Sequence, residues 1–487
     1  MILNTTITTG IRRCCLAALA ACASLAWSGE AWEPAAEEIG NVDALLSREI
    51  PWQGLTPAYT VLVDVGGKTV YAKSMGFADL EHQVAAGPDT VYQLGSITKS
   101  YTAHLILQLV AEGTLQLQGM VVDYLPDYTG PGRHASLQQL LTHTSGIANY
   151  TALPAGQAIL SWVPNQREDI LQLFADTPLD FEPGSHFLYS NSGYYLLGLV
   201  LEAVTGEDYY ALLQDRILDP LGLARTYSGR HEEIVDNRAR GYLATADGFQ
   251  NAPPTPYLTP FAAGSIQATA ADLARYRRQF FTSPGVADSV RELATRTLMF
   301  ADGTPQTYAL GALTRNEHHG YTVWTHGGGI SGFRSHHAYY PELDMTIVVL
   351  TNAENPPVAP AVLSRKISSV LLGEEPVMQE ALATQPAPGR LRQFAGNYLM
   401  TPFRITADGL FSLVYRDGAL LARLGAADDE QAPTLPLTAV GPREFVAEGG
   451  MGLQVGVREA DGVVTGVEIT IPAMDRPPFP AIPAGGR

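Results

Sequence analysis

Residues 92–113 read YQLGSITKSYTAHLILQLVAEG. From Tyr101 to Val110 nearly every residue is apolar, which predicts a helix buried on most sides. Lys99 stands at its mouth, three residues after Ser96. Lysine is seldom buried unless some chemistry holds it there. Three residues apart on a helix is one turn apart on one face, so Lys99 can reach the Ser96 hydroxyl. Desolvation and the partial positive charge of a helix N-terminus both pull an amine below its usual pKa of about 10.4. A neutral amine is a base, and a base beside a serine makes a nucleophile. The same helix start offers the Ser96 N–H to a developing oxyanion. The competing reading is an N-cap serine followed by an ordinary surface lysine. The chain has four lysines (Lys68, Lys73, Lys99 and Lys366), and only Lys99 follows a serine at this spacing. Chance predicts roughly 0.2 such pairs.

Two more stretches carry groups that suit this chemistry. FEPGSHFLYSNSGYYLLGLVLEAVTG (181–206) places Tyr189, Ser190 and Asn191 in a turn before a second apolar helix. A tyrosine hydroxyl near a lysine can share its proton, and an asparagine offers a donor and an acceptor to an amide or ester. The structural alternative is a helix entry capped by Asn191 or Ser192. YTVWTHGGGISGFRSHHAYYPELDMTIVVLTN (321–352) reads as a strand running into His326-Gly327-Gly328-Gly329. Glycines let a substrate lie along a strand edge, and an N–H near Gly329 would complete an oxyanion hole.

Around these stretches the organisation is regular. YTVLVDV, a Gly66-Gly67 turn and KTVYAKSMGFAD predict a hairpin. Helical spacing follows between about 96 and 280, in SLQQLLTH, REDILQLFAD, YYLLGLVLEAVTG and ADLARYRRQF. Strands return in YTVWTH, FRSHHAYY and MTIVVLTN, with a helix near 357–371. The fold class is therefore α/β (α+β): an antiparallel sheet built from strands at both ends of the region, flanked by helices, with an all-helical lobe between them. Residues 373–389 read as a linker. Beyond it, short strands broken by Asp408-Gly409, Asp417-Gly418 and Asp461-Gly462 predict a small all-β barrel over 390–487.

The 487 residues carry a formal net charge of −18, which argues against a nucleic-acid partner. All three cysteines (Cys14, Cys15, Cys22) lie near the start. Residues 1–31, with Arg12-Arg13 and an apolar run to Trp27, look like a secretory leader. Leu19–Cys22 resembles a lipobox, which implies a lipid anchor on Cys22; plain cleavage after Ala26 or Ala31 is the other reading. The expectation is an exported protein, periplasmic or an outer-envelope lipoprotein, touching a membrane only through that anchor. Removing the leader leaves no thiol nucleophile and no disulfide.

In this order, Ser96-x-x-Lys99, Tyr189-x-Asn191 and His326-x-Gly328 resemble the three motifs of the serine β-lactamase and penicillin-binding protein superfamily. LLTHTSGI (140–147), PGSHFLYSNSGYYLLG (183–198) and AAGSIQATAADLARY (262–276) resemble its class C β-lactamase and D-alanyl-D-alanine carboxypeptidase branch, which includes esterases and D-aminopeptidases. The resemblance covers about residues 40–370, and the C-terminal segment resembles a lipocalin-like appendage. It implies a β-lactamase/transpeptidase-like domain over 36–372 and roles for each position. Ser96 would be acylated, and Lys99 and Tyr189 would share acid and base duty. Asn191 would orient the substrate, and His326, Gly328 and Gly329 would line its edge. The antibiotic-hydrolysing members usually carry lysine where His326 stands. A histidine is only partly charged near neutrality, which favours peptides or esters over β-lactams.

Several other patterns fail. Gly327-x-Gly329-x-x-Gly332 matches a dinucleotide fingerprint, but strand-like sequence follows it. There is no Gly-x-Ser-x-Gly elbow. His318, His319, His326, His336 and His337 do not read as a metal site, because neighbouring strand residues point to opposite faces. His143 reads as a packing or loop-ordering residue, and Trp324 as either cleft wall or core. The reading is an exported serine hydrolase with no cofactor and no metal, acting through an acyl-enzyme on a small peptide, including D-amino-acid peptides and peptidoglycan fragments, or on an ester or amide. The alternatives are a β-lactamase, and a penicillin- or peptidoglycan-binding protein with little turnover.

Overall fold

The hairpin expected around Gly66-Gly67 forms between strands Tyr59–Val65 and Lys68–Met75. Both glycines take positive φ, 60° and 84°, as a tight hairpin turn requires. The computed structural model describes residues 32–487 apart from 52, 154–165, 231, 246, 377–384, 448–452, 472–478 and 485–487. The expected leader, residues 1–31, lies outside the described residues.

Tyr59–Val65 pairs on its other side with Met345–Thr351, from Tyr59 opposite Thr351 to Val65 opposite Met345. The two sequence ends of the region thus share one antiparallel sheet. Its order is Tyr308–Ala309, Leu313–His318, Tyr321–Ile330, Phe333–Tyr340, Met345–Thr351, Tyr59–Val65 and Lys68–Met75. Every residue of Met345–Thr351 is buried, so the sheet is covered on both faces there. Helices Pro360–Leu371 and Ala270–Thr282 both pack on that strand, and helix Ala36–Glu49 packs on Pro360–Leu371.

The helical lobe comes from the segment between the hairpin and the later strands. Its centre is helix Thr98–Ala111, buried at eleven of its fourteen positions, against helix Asn191–Thr205. The second helix ends at Gly206, whose φ of 73° makes the usual left-handed stop. Short strand pairs also occur here, such as Tyr242–Thr245 with Gly248–Asn251. Trp324 is core: it is 6% exposed and packs with Ala309 and Leu313.

The C-terminal strands, from Gly396–Met400 to Phe479–Pro483, close an eight-stranded antiparallel barrel. Asp417-Gly418 and Asp461-Gly462 take positive φ at both residues, the conformation two-residue hairpins prefer. Phe394, Met400, Phe411, Phe445 and Phe479 fill the interior. Phe394 belongs to helix Pro388–Phe394, so residues 388–389 of the expected linker instead open a helix, with Pro388 at its first position. Residues 377–384 of that linker lie outside the described residues. From Pro34 to Arg487 the chain forms one compact unit.

Candidate active site

Ser96 sits in a three-residue 3-10 turn, Gly95–Ile97, that leads into helix Thr98–Ala111. The turn lies directly on strand Tyr321–Ile330. Gly95 has φ 54°, and a Cβ on it would stand 2.8 Å from the Gly329 nitrogen. A Cβ on Gly328 would overlap the Leu94 carbonyl oxygen and the Ser335 hydroxyl. Sequence reasoning gave the glycines to substrate, but Gly328 is needed first to let the Ser96 turn approach. The strand edge is nonetheless open here. The neighbouring strand Leu313–His318 pairs only as far as Thr325, leaving His326–Ile330 beyond it.

Lys99 is fully buried. Its amine donates to Asn191 Oδ1 at 2.7 Å and to the Ala263 carbonyl at 2.8 Å, which uses both N–H groups of the neutral form and leaves the lone pair for the Ser96 hydroxyl at 3.1 Å. None of these acceptors is a carboxylate. Burial therefore pulls the amine well below its ordinary pKa, with no anion among the described residues to restore it. A neutral lysine 3.1 Å from a serine hydroxyl is within proton-transfer distance.

Asn191 is the first residue of helix Asn191–Thr205, but its side chain does not cap that helix. Its carbonyl oxygen accepts from Lys99 and its amide donates to Thr151 Oγ1 at 3.0 Å. Tyr189 lies two residues earlier, with its ring centroid 4.9 Å from the Lys99 amine. His143 backs that ring at 4.1 Å between centroids. The Ser190 N–H donates to His143 Nδ1 at 3.1 Å, so the ring proton sits on Nε2. His143 is thus the ordering residue it was read to be.

His326 is only 5% exposed. Its Nδ1 donates to the Gly327 carbonyl at 2.6 Å, and its Nε2 bonds the Tyr308 hydroxyl at 2.9 Å. It faces Tyr308 rather than lining the cavity. That cavity, about 460 Å³, is walled by Ser96, Asn191, Thr151, Gly264, Gly329 and Arg334 among others. Ser96, Asn191 and Gly329 thus meet at one cavity; Lys99 bonds two of them, and its amine lies 4.9 Å from the Tyr189 ring centroid. Sequence reasoning did not find the Ala263 carbonyl, Thr151 or Arg334. The first acts through its backbone, and the others carry no spacing that marks them.

The beta-lactamase family model matches residues 44–372. The chain belongs to the beta-lactamase family. Protein flp of Staphylococcus aureus (strain MW2) is 28% identical over 324 residues, 64% of this chain and 62% of that protein. This family member therefore covers under two thirds of the length of that relative. A D-stereospecific amidohydrolase from Streptomyces sp. superposes with TM-score 0.55 at 27% identity, over 65% of this chain and 94% of that one. An octameric penicillin-binding protein homologue from Pyrococcus abyssi superposes with TM-score 0.61 at 23% identity, over 91% and 99%. The last likeness is one of fold alone, and its coverage extends beyond the family match.

Proposed function

We propose that this beta-lactamase-family chain is a serine hydrolase that forms an acyl-enzyme at Ser96 and cleaves a small amide, peptide or ester, D-configured substrates included. The observation that carries the reading is the buried Lys99 amine, 3.1 Å from the Ser96 hydroxyl and, among the described residues, with no carboxylate partner. In the first step Lys99 takes the Ser96 proton, and Oγ adds to the substrate carbonyl. The Ser96 N–H and an N–H of the open strand edge at Gly329 receive the oxyanion. Collapse expels an amine or alcohol, which receives its proton from the Lys99–Tyr189 pair. Water, deprotonated by the same pair, then adds to the acyl carbonyl and releases the acid and free Ser96. Asn191 orients the substrate amide from the opposite wall.

The D-configured preference is carried over from the Streptomyces sp. amidohydrolase and is a proposal for this chain. Against efficient β-lactam hydrolysis stands His326, engaged with Tyr308 and Gly327 and offering no fixed cation to a carboxylate. Export, with or without a lipid on Cys22, is also proposed; mass measurement of the mature N-terminus decides it.

The test uses a fluorophosphonate probe, nitrocefin, and paired D- and L-amino-acid anilides on wild type and Ser96→Ala. Labelling that vanishes in Ser96→Ala, with anilide or ester turnover, supports the reading. Rapid nitrocefin turnover would make the chain a β-lactamase instead. A stable penicillin adduct without turnover of any ester or amide would make it a binding protein.

A further inference from the structure

Residues 187–191 carry Tyr189 and Asn191 to the cleft in one stretch held from two sides. On the hydrolase side, the Leu188 N–H donates to the His143 carbonyl at 3.0 Å. The Ser190 N–H donates to His143 Nδ1 at 3.1 Å, and the Asn191 N–H to Asn149 Oδ1 at 3.1 Å. The other side is the C-terminal barrel. The Phe187 N–H donates to the Pro402 carbonyl at 3.0 Å, and the Arg404 N–H donates to the Phe187 carbonyl at 2.9 Å. Both backbone groups of Phe187 are thereby satisfied by barrel residues more than two hundred positions away, in a parallel bridge with Phe403.

Side chains reinforce the bridge. The Phe187 and Phe403 rings lie 6.0 Å apart, and Arg404 Nη2 is 3.1 Å from His186 Nε2. Phe403 reaches Phe479 of the barrel core at 6.1 Å and Phe300 of the hydrolase body at 5.3 Å. Phe187 is 1% exposed, and its ring meets His143 at 5.7 Å. His143 in turn backs Tyr189. A short physical chain therefore runs from the barrel loop through Phe187 and His143 to the tyrosine beside Lys99.

We infer that the barrel loop 401–404 is a positioning element for Tyr189, with Phe403 and the Arg404 backbone as its positioning residues. The inference rests on the reading of Tyr189 as a proton carrier. A proton carrier must hold its place to a fraction of an ångström, and a displacement near 1 Å costs about a hundredfold in rate. Tyr189 is two residues from Phe187. Losing the barrel contact would leave the backbone between Phe187 and Leu188 anchored from one side only. The barrel thus acts on the chemistry without touching substrate.

The experiment uses the full chain with Arg404→Pro, which deletes the N–H given to Phe187, and Arg404→Ala, which keeps it. Phe403→Ala and the conservative Phe403→Leu form a second pair. Hydrogen exchange of the 186–191 segment, kcat and KM for p-nitrophenyl butyrate, and the pH profile of kcat are read together. The expected result is faster exchange at 186–191 and a kcat lower by about ten- to a hundredfold in Arg404→Pro and Phe403→Ala. KM stays within about twofold, the alkaline limb of the profile moves, Arg404→Ala loses less than Arg404→Pro, and Phe403→Leu recovers most of the loss. Folded variants with wild-type kcat, or with a raised KM alone, overturn the inference. If Arg404→Pro does not fold, the Phe403 pair decides by the same criteria. The underlying reading fails separately, if Tyr189→Phe keeps wild-type kcat or Ser96→Ala still labels.

Discussion

At the scale of single residues, the site turns on the protonation of one amine. Lys99 has only neutral acceptors around it, so in the folded chain its proton is lost at a lower pH than in an unfolded one. On the proposed mechanism the free base is the active form. Acylation of Ser96 should therefore fall as pH drops through the lowered Lys99 pKa. Lys99→Ala should slow fluorophosphonate labelling by about 10²- to 10⁴-fold, the usual worth of a positioned base. Lys99→Arg should not restore it, because a guanidinium keeps its proton at all working pH values. Wild-type labelling by Lys99→Arg would remove lysine from the base role. Ser96, Lys99 and Asn191 were legible because a lysine rare in this chain sits one turn from a serine, and because Tyr-Ser-Asn opens an apolar helix. The Ala263 carbonyl was not legible, since any residue supplies a carbonyl and only the fold aims it. His326 was legible as a position but not in its orientation. Its turn toward Tyr308 depends on a neighbouring strand that no local pattern specifies.

At the scale of elements, the contact of the 3-10 turn with strand Tyr321–Ile330 sets how well Ser96 is held. Gly328→Ala would drive a methyl into the Leu94 carbonyl, which is backbone and cannot swing away. Overpacking of this kind costs about 1–3 kcal/mol. Labelling of Ser96 should fall at least about tenfold as the turn is pushed off the strand. Gly329→Ala meets the end of the Arg334 side chain at 3.1 Å, a flexible neighbour, and should be much milder. Equal thermal midpoints and labelling rates for both variants would show that the contact does not hold Ser96. The far side of helix Thr98–Ala111 makes a second prediction. His104 is buried against Phe280, 5.1 Å between ring centroids, and burial with the nearby Arg277 charge pushes its imidazole down to about 3. Between the ordinary value of about 6.5 and that depressed one, the unfolded chain binds a proton that the folded chain refuses. Stability from this group is thus complete above about pH 6.5 and lost as pH falls toward 3, by up to a few kcal/mol. The urea midpoint of His104→Phe should be flatter over that window than that of wild type; parallel slopes would place the titration elsewhere. Long strands and helices were legible from their periods. Two-residue strands such as Gln267–Ala268 were not, because their pairing is fixed by distant neighbours rather than by local pattern.

At the scale of the whole molecule, sequence order already implied that strands from both ends must pair, and Tyr59–Val65 with Met345–Thr351 does so. The barrel was legible for a local reason, since Asp-Gly turns write hairpins into adjacent residues. Its docking on Phe187 was not, because a single backbone bridge between distant residues leaves no compositional trace. Charge is the other global property, and it bears on substrate choice. The formal net charge is −18, and the cation in the cavity wall, Arg334, stands 3.5 Å from the Glu354 carboxylate. With that pair largely cancelling at short range, the field felt by an arriving substrate is that of the whole acidic surface. Such a field repels anions over roughly a Debye length, which shrinks from about 30 Å at 0.01 M salt to about 8 Å at 0.15 M. For an ester bearing a free carboxylate, kcat/KM should therefore rise several-fold across that range of salt, through faster encounter. Its neutral amide twin should stay flat, and an ester bearing an ammonium group should decline. An anionic ester whose kcat/KM falls with salt would mean that Arg334 outweighs Glu354 and draws carboxylates in. The cavity would then select for acids against the sign of the protein that surrounds it.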